Sequence, residues 1–426
     1  MISVASKLLS GGVSFISAGN YGFTVATASA STHDRCGGCV VDSQSNVIVV
    51  GYTETTYHES TIVKFSRSGG MAWRRKLTLA STSIQAVAVA LDGSDNIYVL
   101  CDHLATQYAS VVKYNSSGTL QWNKRITKSA AVLTPRSIFH LNGFVYVAHD
   151  ETSGGCITKL DASTGDTSWS KLYDSGAIAL SFCFHDYGTS GIAAFGRALV
   201  ETASTYFYLY KISEAGADIA SDKCRFDTVT TTIRNVNCVS ASTNGYLYAA
   251  LHDNLQGYML KTDVPFSIGT NKKVDGVGKF QGVTVLPDES VVFIGQGTAS
   301  TGVNAGYIVM TSSTLAISAI YKVTAEIGVK LTSVSASPSG DIWIAGEFER
   351  TASGSDVFIF KISNTQSPVG SYGEFTITSQ TSANYGGIGS YGYASTASMA
   401  TSALTNDAGV LTDAAGTLVI SNINKD

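Results

Sequence analysis

The chain has 426 residues, a formal net charge of −4 and only 14% charged side chains against 44% hydrophobic ones. That balance excludes a generally basic nucleic-acid surface, and no run of 18 apolar residues offers a membrane span. Seven cysteines, an odd number scattered through apolar stretches, read as small buried hydrophobes rather than as a disulfide framework.

Residues 1–35 come first. The opening MISVASKLLSGGVSF lacks a basic start, and Ser10, Gly11 and Gly12 break its apolar part, so it is a poor export signal. Residues 12–17 and 22–28 read as short strands. Cys36, Gly37, Gly38 and Cys39 have the spacing of half a zinc site, but no second pair of ligands matches them.

From residue 36 a repeat takes over. Residues 36–42, 46–53, 60–66 and 71–79 read as four strands, and 85–91, 96–101, 109–115 and 120–127 repeat them. The best-written stretch is 110–122, SVVKYNSSGTLQW, a hairpin with period-2 alternation on both sides of Gly118. Residues 61–73 (TIVKFSRSGGMAW) and 157–169 (ITKLDASTGDTSW) carry the same pattern. Its central position recurs about every 50 residues as Lys64, Lys113, Lys159, Lys211, Lys261, Met310 and Lys361. The turn Asp92-Gly93-Ser94-Asp95-Asn96 has counterparts at Asn142-Gly143 and Asn244-Gly245. Pro135, Pro265, Pro287, Pro338 and Pro368 are all expected in turns or loops.

These signals predict an all-β fold: a seven-bladed β-propeller of four-stranded antiparallel blades over 36–380, with extended N- and C-terminal arms. The repeats run near 36–79, 80–127, 128–173, 174–227, 228–275, 276–324 and 325–380. Residues 372–379 are expected to close the last blade, with 22–28 as the competitor. The arms are 1–35 and the Gly/Ser/Ala-rich 381–426, which buries too little to fold alone.

The turn, the apolar strand of Asn96, Ile97, Tyr98 and Val99, and the lysine strand of Val112, Lys113 and Tyr114 resemble bacterial β-propeller repeat proteins. Asp161, Ala162, Ser163, Thr164 and Gly165, leading to Trp169, are similar to the tryptophan repeat of quinoprotein propellers. The resemblance implies blade architecture and is nearly silent on activity.

No nucleophile elbow, H-E-x-x-H or P-loop lysine is present. Gly276, Val277, Gly278 and Gly282 have the wrong spacing for a dinucleotide loop. His58, His103, His149 and His252 fall near the connections between second and third strands, each beside an acidic residue, and form a candidate binding rim on one face. Trp73, Trp122 and Trp169 sit at one repeat position, either as packing or as an aromatic platform for a sugar. The repeated lysine reads as an interblade packing residue.

The expectation is a non-enzymatic virion structural protein of a bacteriophage, in the tail or its fibres. It would be made in the host cytoplasm, with no catalytic residue, metal or cofactor. The Ser/Thr/Gly/Ala-rich composition resembles phage tail proteins. Expected partners are other virion proteins or copies of itself through 1–35 and 381–426, and a host surface glycan, with no nucleic acid and no membrane span. The alternatives are an extracellular bacterial carbohydrate- or protein-binding propeller, and a propeller enzyme acting on polysaccharide or using a quinone.

Overall fold

The structure, a computed structural model, describes residues 21–25, 33–380 apart from short stretches between strands, 412–414 and 419–422. Strand β1 (Tyr21–Val25) precedes the repeats. An antiparallel sheet follows in chain order: β2 (His33–Val41), β3 (Val47–Glu54), β4 (Glu59–Phe65) and β5 (Met71–Thr78). The same order gives β6 (Gln85–Leu91), β7 (Ile97–Asp102), β8 (Tyr108–Tyr114) and β9 (Leu120–Thr127). Next are β10 (Thr134–Leu141), β11 (Phe144–Glu151), β12 (Gly154–Asp161) and β13 (Thr167–Tyr173). Then come β14 (Cys183–Asp186), β15 (Ile192–Val200), β16 (Ser204–Ile212) and β17 (Asp218–Phe226). They are followed by β18 (Asn235–Ala241), β19 (Leu247–His252), β20 (Gly257–Asp263) and β21 (Ser267–Lys273). The next sheet holds β22 (Val277–Val285), β23 (Val291–Gly297), β24 (Gly306–Thr311) and β25 (Ile317–Thr324). Last are β26 (Gly328–Ala336), β27 (Ile342–Thr351) and β28 (Gly354–Ile362), whose outer strand is β1. Four short strands finish the chain: β29 (Gly370–Tyr372), β30 (Phe375–Ser379), β31 (Thr412–Ala414) and β32 (Val419–Asn422).

The second strand of each unit explains the stacking. Val47, Ile48, Val49 and Val50 in β3, and Ile97 through Cys101 in β7, are buried along their whole length. A strand apolar on both faces must be covered on both, and burying each such side chain contributes about 1.5–3 kcal/mol. The cover comes from the adjacent sheets. Ile48, Val50 and Leu77 pack with Ile97, Val99 and Tyr114, and Leu100 and Val111 with Val145 and Leu160. Tyr248 and Met259 pack with Phe280 and Phe293, and Ile294 and Ile308 with Ile344 and Phe358. Val47 and Val63 then pack with Trp343 and Ile359, so the last sheet meets the first and the sheets close a ring, a β-propeller.

In six of these units the first strand carries a bulge at one repeated place. The pairing shifts at Gly37, Val87, Arg136, Asn237, Gln281 and Thr332. A bulge bends the strand and re-aims the extra side chain. At Gly37 it brings the backbone so close to the next sheet that a Cβ would lie 2.1 Å from the Ala86 carbonyl oxygen.

Two expectations are corrected, the strand that closes the last unit and the place of Pro135. Residues 372–379 do not close the last unit: β30 within them pairs with β25, and β1, in the region of the competitor 22–28, takes the place beside β28. The reason is burial, because Phe375 and Ile377 point into the seam and the Phe375 ring lies 4.8–4.9 Å from those of Phe348, Phe358 and Phe360. The arms, where described, pair within the chain: β1 with β28, β31 with β9 and β32 with β5. Residues 1–20 and 381–411 lie outside the described residues. Pro135 sits inside β10 rather than in a turn, where its missing N–H is harmless because β10 is an edge strand of its sheet.

Candidate functional site

Two polar constellations recur around the ring, one between units and one at the bulges. The first is built by the repeated lysine and tryptophan. On adjacent strands, Lys113 of β8 lies directly opposite Trp122 of β9. Both donate to the Ala162 carbonyl in the β12–β13 turn of the next unit, the ammonium at 2.7 Å and the indole N–H at 3.2 Å. Lys64 and Trp73 likewise converge on the Ser116 carbonyl, at 3.0 and 3.3 Å. Lys159 and Trp169 converge on the Glu214 carbonyl, at 2.8 and 3.1 Å. The receiving turns need glycine. Gly118 has φ +79°, and a Cβ there would come within 2.7 Å of the Trp73 ring.

The lysine charge is met in one of two ways. Lys64 and Lys361 reach the carboxylates of Asp42 and Asp341, at 2.8 and 2.9 Å. Against the cost of burial, Lys64 and the Asn46 donors hold the Asp42 carboxyl below its ordinary range. Lys159 and Lys261 instead lie over the rings of Phe144 and Tyr246, at 3.6 and 3.7 Å.

The second constellation gathers where the first strands bulge. Arg35 of β2 donates to Glu54 at 2.9 Å and to Glu347 of β27 at 3.3 Å. Glu347 is buried, also accepts the Cys36 backbone N–H, and lies 3.5 Å from the Lys330 ammonium. Arg136, the bulged residue of β10, donates to buried Asp150 at 2.6 Å. Burial raises the Asp150 carboxyl, and Arg136 offsets part of that. Burial also raises Asp102, to about 6, again opposed by Arg136. Arg35 is thus shared between an acid of its own unit and one of the unit before, while Arg136 pairs with Asp150 of its own unit. A shallow pocket of about 380 Å³, open mouth included, lies beside Arg35 and is lined by Asp34, Tyr52, Thr53, Arg74 and Val357.

The four candidate histidines lie near this region, but three of them do not form a rim. His103, His149 and His252 are buried. His103 and His149 bond their third strands through Ser110 at 2.6 Å and Thr158 at 3.1 Å, and His252 bonds Asn237 at 2.8 Å. Burial, with help from Arg125, lowers His103 to about 4. His58 is half-buried, stacked on Tyr52 and bonded to Gln85 at 2.6 Å. Trp73, Trp122 and Trp169 face the turns of the neighbouring units. Cys36 and Cys39 are buried in β2, where burial raises the Cys39 thiol to about 11. Gly276 precedes β22, so the glycine-rich stretch opens a strand and no helix. The sequence reading missed Arg35, Arg136 and Glu347, and took Asp150 only as the acidic neighbour of His149. Their one signal was position: Asp102 and Glu347 stand five residues after the first residue of their second strands, and Asp150 six.

The ring agrees with known proteins at the level of fold. No curated protein matches the chain. Among solved structures it is similar to a catalytically inactive virginiamycin B lyase from Staphylococcus aureus with quinupristin, at 12% identity and a TM-score of 0.51, over 80% of this chain and 99% of that one. It is also similar to the Dos1 propeller, at 12% identity and a TM-score of 0.48, over 84% and 96%. The WD40 domain of Neurospora crassa Pan2 aligns at 10% identity and a TM-score of 0.48, over 78% and 90%. Identities this low speak for the fold alone. The family model described as outer membrane protein assembly factor BamB matches residues 58–297. With more than half of its length inside that match, the chain belongs to this family of propeller repeat proteins.

Proposed function

We propose that this chain is a non-enzymatic assembly propeller of seven blades, a structural component of a bacteriophage virion in the tail or its fibres. Its partners are other virion proteins or further copies of itself. The observation that carries the reading is where the flanking segments go. After the last repeat strand, β30, β31 and β32 each lie antiparallel on the outer strand of a different unit, β25, β9 and β5. Outer edges that accept a fifth strand offer backbone-mediated attachment of extended segments. The contacts between units support the same reading, since Lys64, Lys113 and Lys159 and the tryptophans opposite them are spent on carbonyls of the next unit. The family description names an assembly factor, which favours holding partners over turning over a substrate. The blade count rests on the strand sets from β2–β5 to β26–β28 with β1. The test is to produce the full chain, follow its assembly by light scattering, and image it by electron microscopy. Seven-bladed discs joined into ordered multimers, and the chain present in purified particles, are expected. A monomer at every concentration that is found in no particle refutes the reading.

A further inference from the structure

Three separate segments add to outer edges in one common register. Ile420 pairs with Leu77 of β5 and Ser421 with Lys76. Asp413 pairs with Ile126 of β9 and Ala414 with Arg125. Ile377 pairs with Val323 of β25 and Thr378 with Lys322. In each edge a buried apolar residue follows a cation, and the cation always faces a small residue of the added strand. Two of the added strands read Val-Ile-Ser-Asn (Val419 to Asn422) and Thr-Ile-Thr-Ser (Thr376 to Ser379).

Strand β21 presents the same edge. Lys261 opposite Thr270 fixes its register, as Lys113 opposite Trp122 does in β9. Lys273 then stands where Lys76, Arg125 and Lys322 stand, and buried Val274 follows it. No fifth strand lies on β21 among the described residues. The chain holds one more segment of the matching type just before β1, Phe15-Ile16-Ser17-Ala18.

The nearby edges of its own molecule are either occupied or out of the common register for that segment. Ala18 is three residues from Tyr21, a reach of at most about 10 Å. The units packed on either side of the β26–β28 unit already carry β30 and β32. A hairpin onto β1 through Gly19 and Asn20 would set Ile16 opposite Phe23. The position equivalent to Leu77 in β1 is Val25, counted from Tyr21 opposite Lys361, so the hairpin would be two residues out of the common register.

Building on the assembly reading, we propose that the outer edge of β21 accepts Phe15, Ile16, Ser17 and Ala18 of a second copy as a fifth antiparallel strand. Ile16 lies opposite Val274 and Ser17 opposite Lys273. The contact joins two different surfaces, so it repeats from copy to copy and builds a ring or a filament.

The test uses full-length chains carrying single substitutions. Ser17→Cys chains are mixed with Lys273→Cys chains and oxidised, and the product is read on a non-reducing gel. Residues directly opposite on antiparallel strands have Cβ atoms close enough for a disulfide. Two-chain product at least about tenfold above that of a Ser14→Cys control, which lies out of register, is expected. In wild-type chain, backbone amides of β21 should exchange about tenfold more slowly at high than at low protein concentration, and Ile16→Pro should abolish that difference. If wild-type chain forms multimers but Ser17→Cys and Lys273→Cys give no more product than the control, this contact is wrong and the assembly reading survives. If residues 15–18 are protected at every dilution with no two-chain product, the segment folds back on β1 and the proposal is overturned. If the chain remains a monomer throughout, both readings fall.

Discussion

The Ala162 carbonyl allows the seam between two units to be weighed by a double substitution. It receives Lys113 at 2.7 Å and Trp122 at 3.2 Å, while the Tyr98 hydroxyl, 3.4 Å away, is also 2.9 Å from Asp92 and has one proton to give. Lys113→Met should cost only about 1 kcal/mol, because the thioether fills the space of the stem and the carbonyl retains Trp122. Met310 occupies the equivalent slot, opposite Ala319, so the substitution is sterically native to the fold. Trp122→Ala removes a half-buried indole and its hydrogen bond, for about 2–3 kcal/mol. The double variant leaves the carbonyl with neither donor. It should therefore lose about 1–2 kcal/mol more than the two single losses together. Urea denaturation of the four proteins, followed by tryptophan fluorescence and far-UV circular dichroism, measures the cycle. Losses that add within about 0.5 kcal/mol would mean that the two donors do not share one acceptor, and the account of the seam would fail.

Other outcomes follow from the same geometry. Phe375→Ala should cost about 3–5 kcal/mol and loosen β30 from β25, seen as faster amide exchange in residues 375–379. Arg136→Met strands the buried Asp150 carboxylate and should cost about 3 kcal/mol, most of it recovered by adding Asp150→Asn, with thermal melting as the readout. Gly118→Ala places a Cβ at positive φ against the Trp73 ring and should cost at least about 1–2 kcal/mol, whereas Gly93→Ala, with open space around it, should be nearly silent. The pH dependence has two opposed parts. Asp102, raised to about 6, stabilises the fold fully below its unfolded value of 3.8, and that contribution is lost as pH rises through 6. His103, lowered to about 4, contributes above 6.5 and loses that contribution as pH falls towards 4. Asp102→Asn leaves the second part alone, so Tm should fall more steeply between pH 6.5 and 4 than in the parent; a shallower fall refutes the assignment.

The repeat was legible because its marks are local. Lys113, the turn at Asn115 and Trp122 lie within one hairpin, and alternation alone placed them on neighbouring strands. Each repeated lysine or methionine lies on a strand that pairs as expected, from Lys64 in β4 to Lys361 in β28. What was not legible depends on contacts between distant residues. Phe375 joins β25 because a pocket of phenylalanines exists only once two sheets have packed. Arg136 meets Asp150 because a bulge turns it, and one extra residue in a strand leaves no mark in a hydrophobic pattern. The histidines misled for the same reason. His103 and His149 end apolar runs beside an acid, which reads as the start of an exposed turn, yet they lie inward, where a hydroxyl on the adjacent strand meets them.

The pairing of Tyr21 with Lys361 also sets an order of events in time. The first described strand of the chain has no partner until almost the last repeat has been made. During synthesis, units from β2 onward can stack one on the next as they emerge, because each meets its neighbour over a short stretch of chain. The face of β2 and β3 that carries Cys36, Cys39 and Val47 stays uncovered throughout, waiting for Trp343, Val357 and Ile359. A chain stopped anywhere before residue 340 is therefore an open arc with an apolar face at one end, a form suited to sticking to other arcs. Closure protects the finished molecule, and the period before closure is when it is most exposed to error.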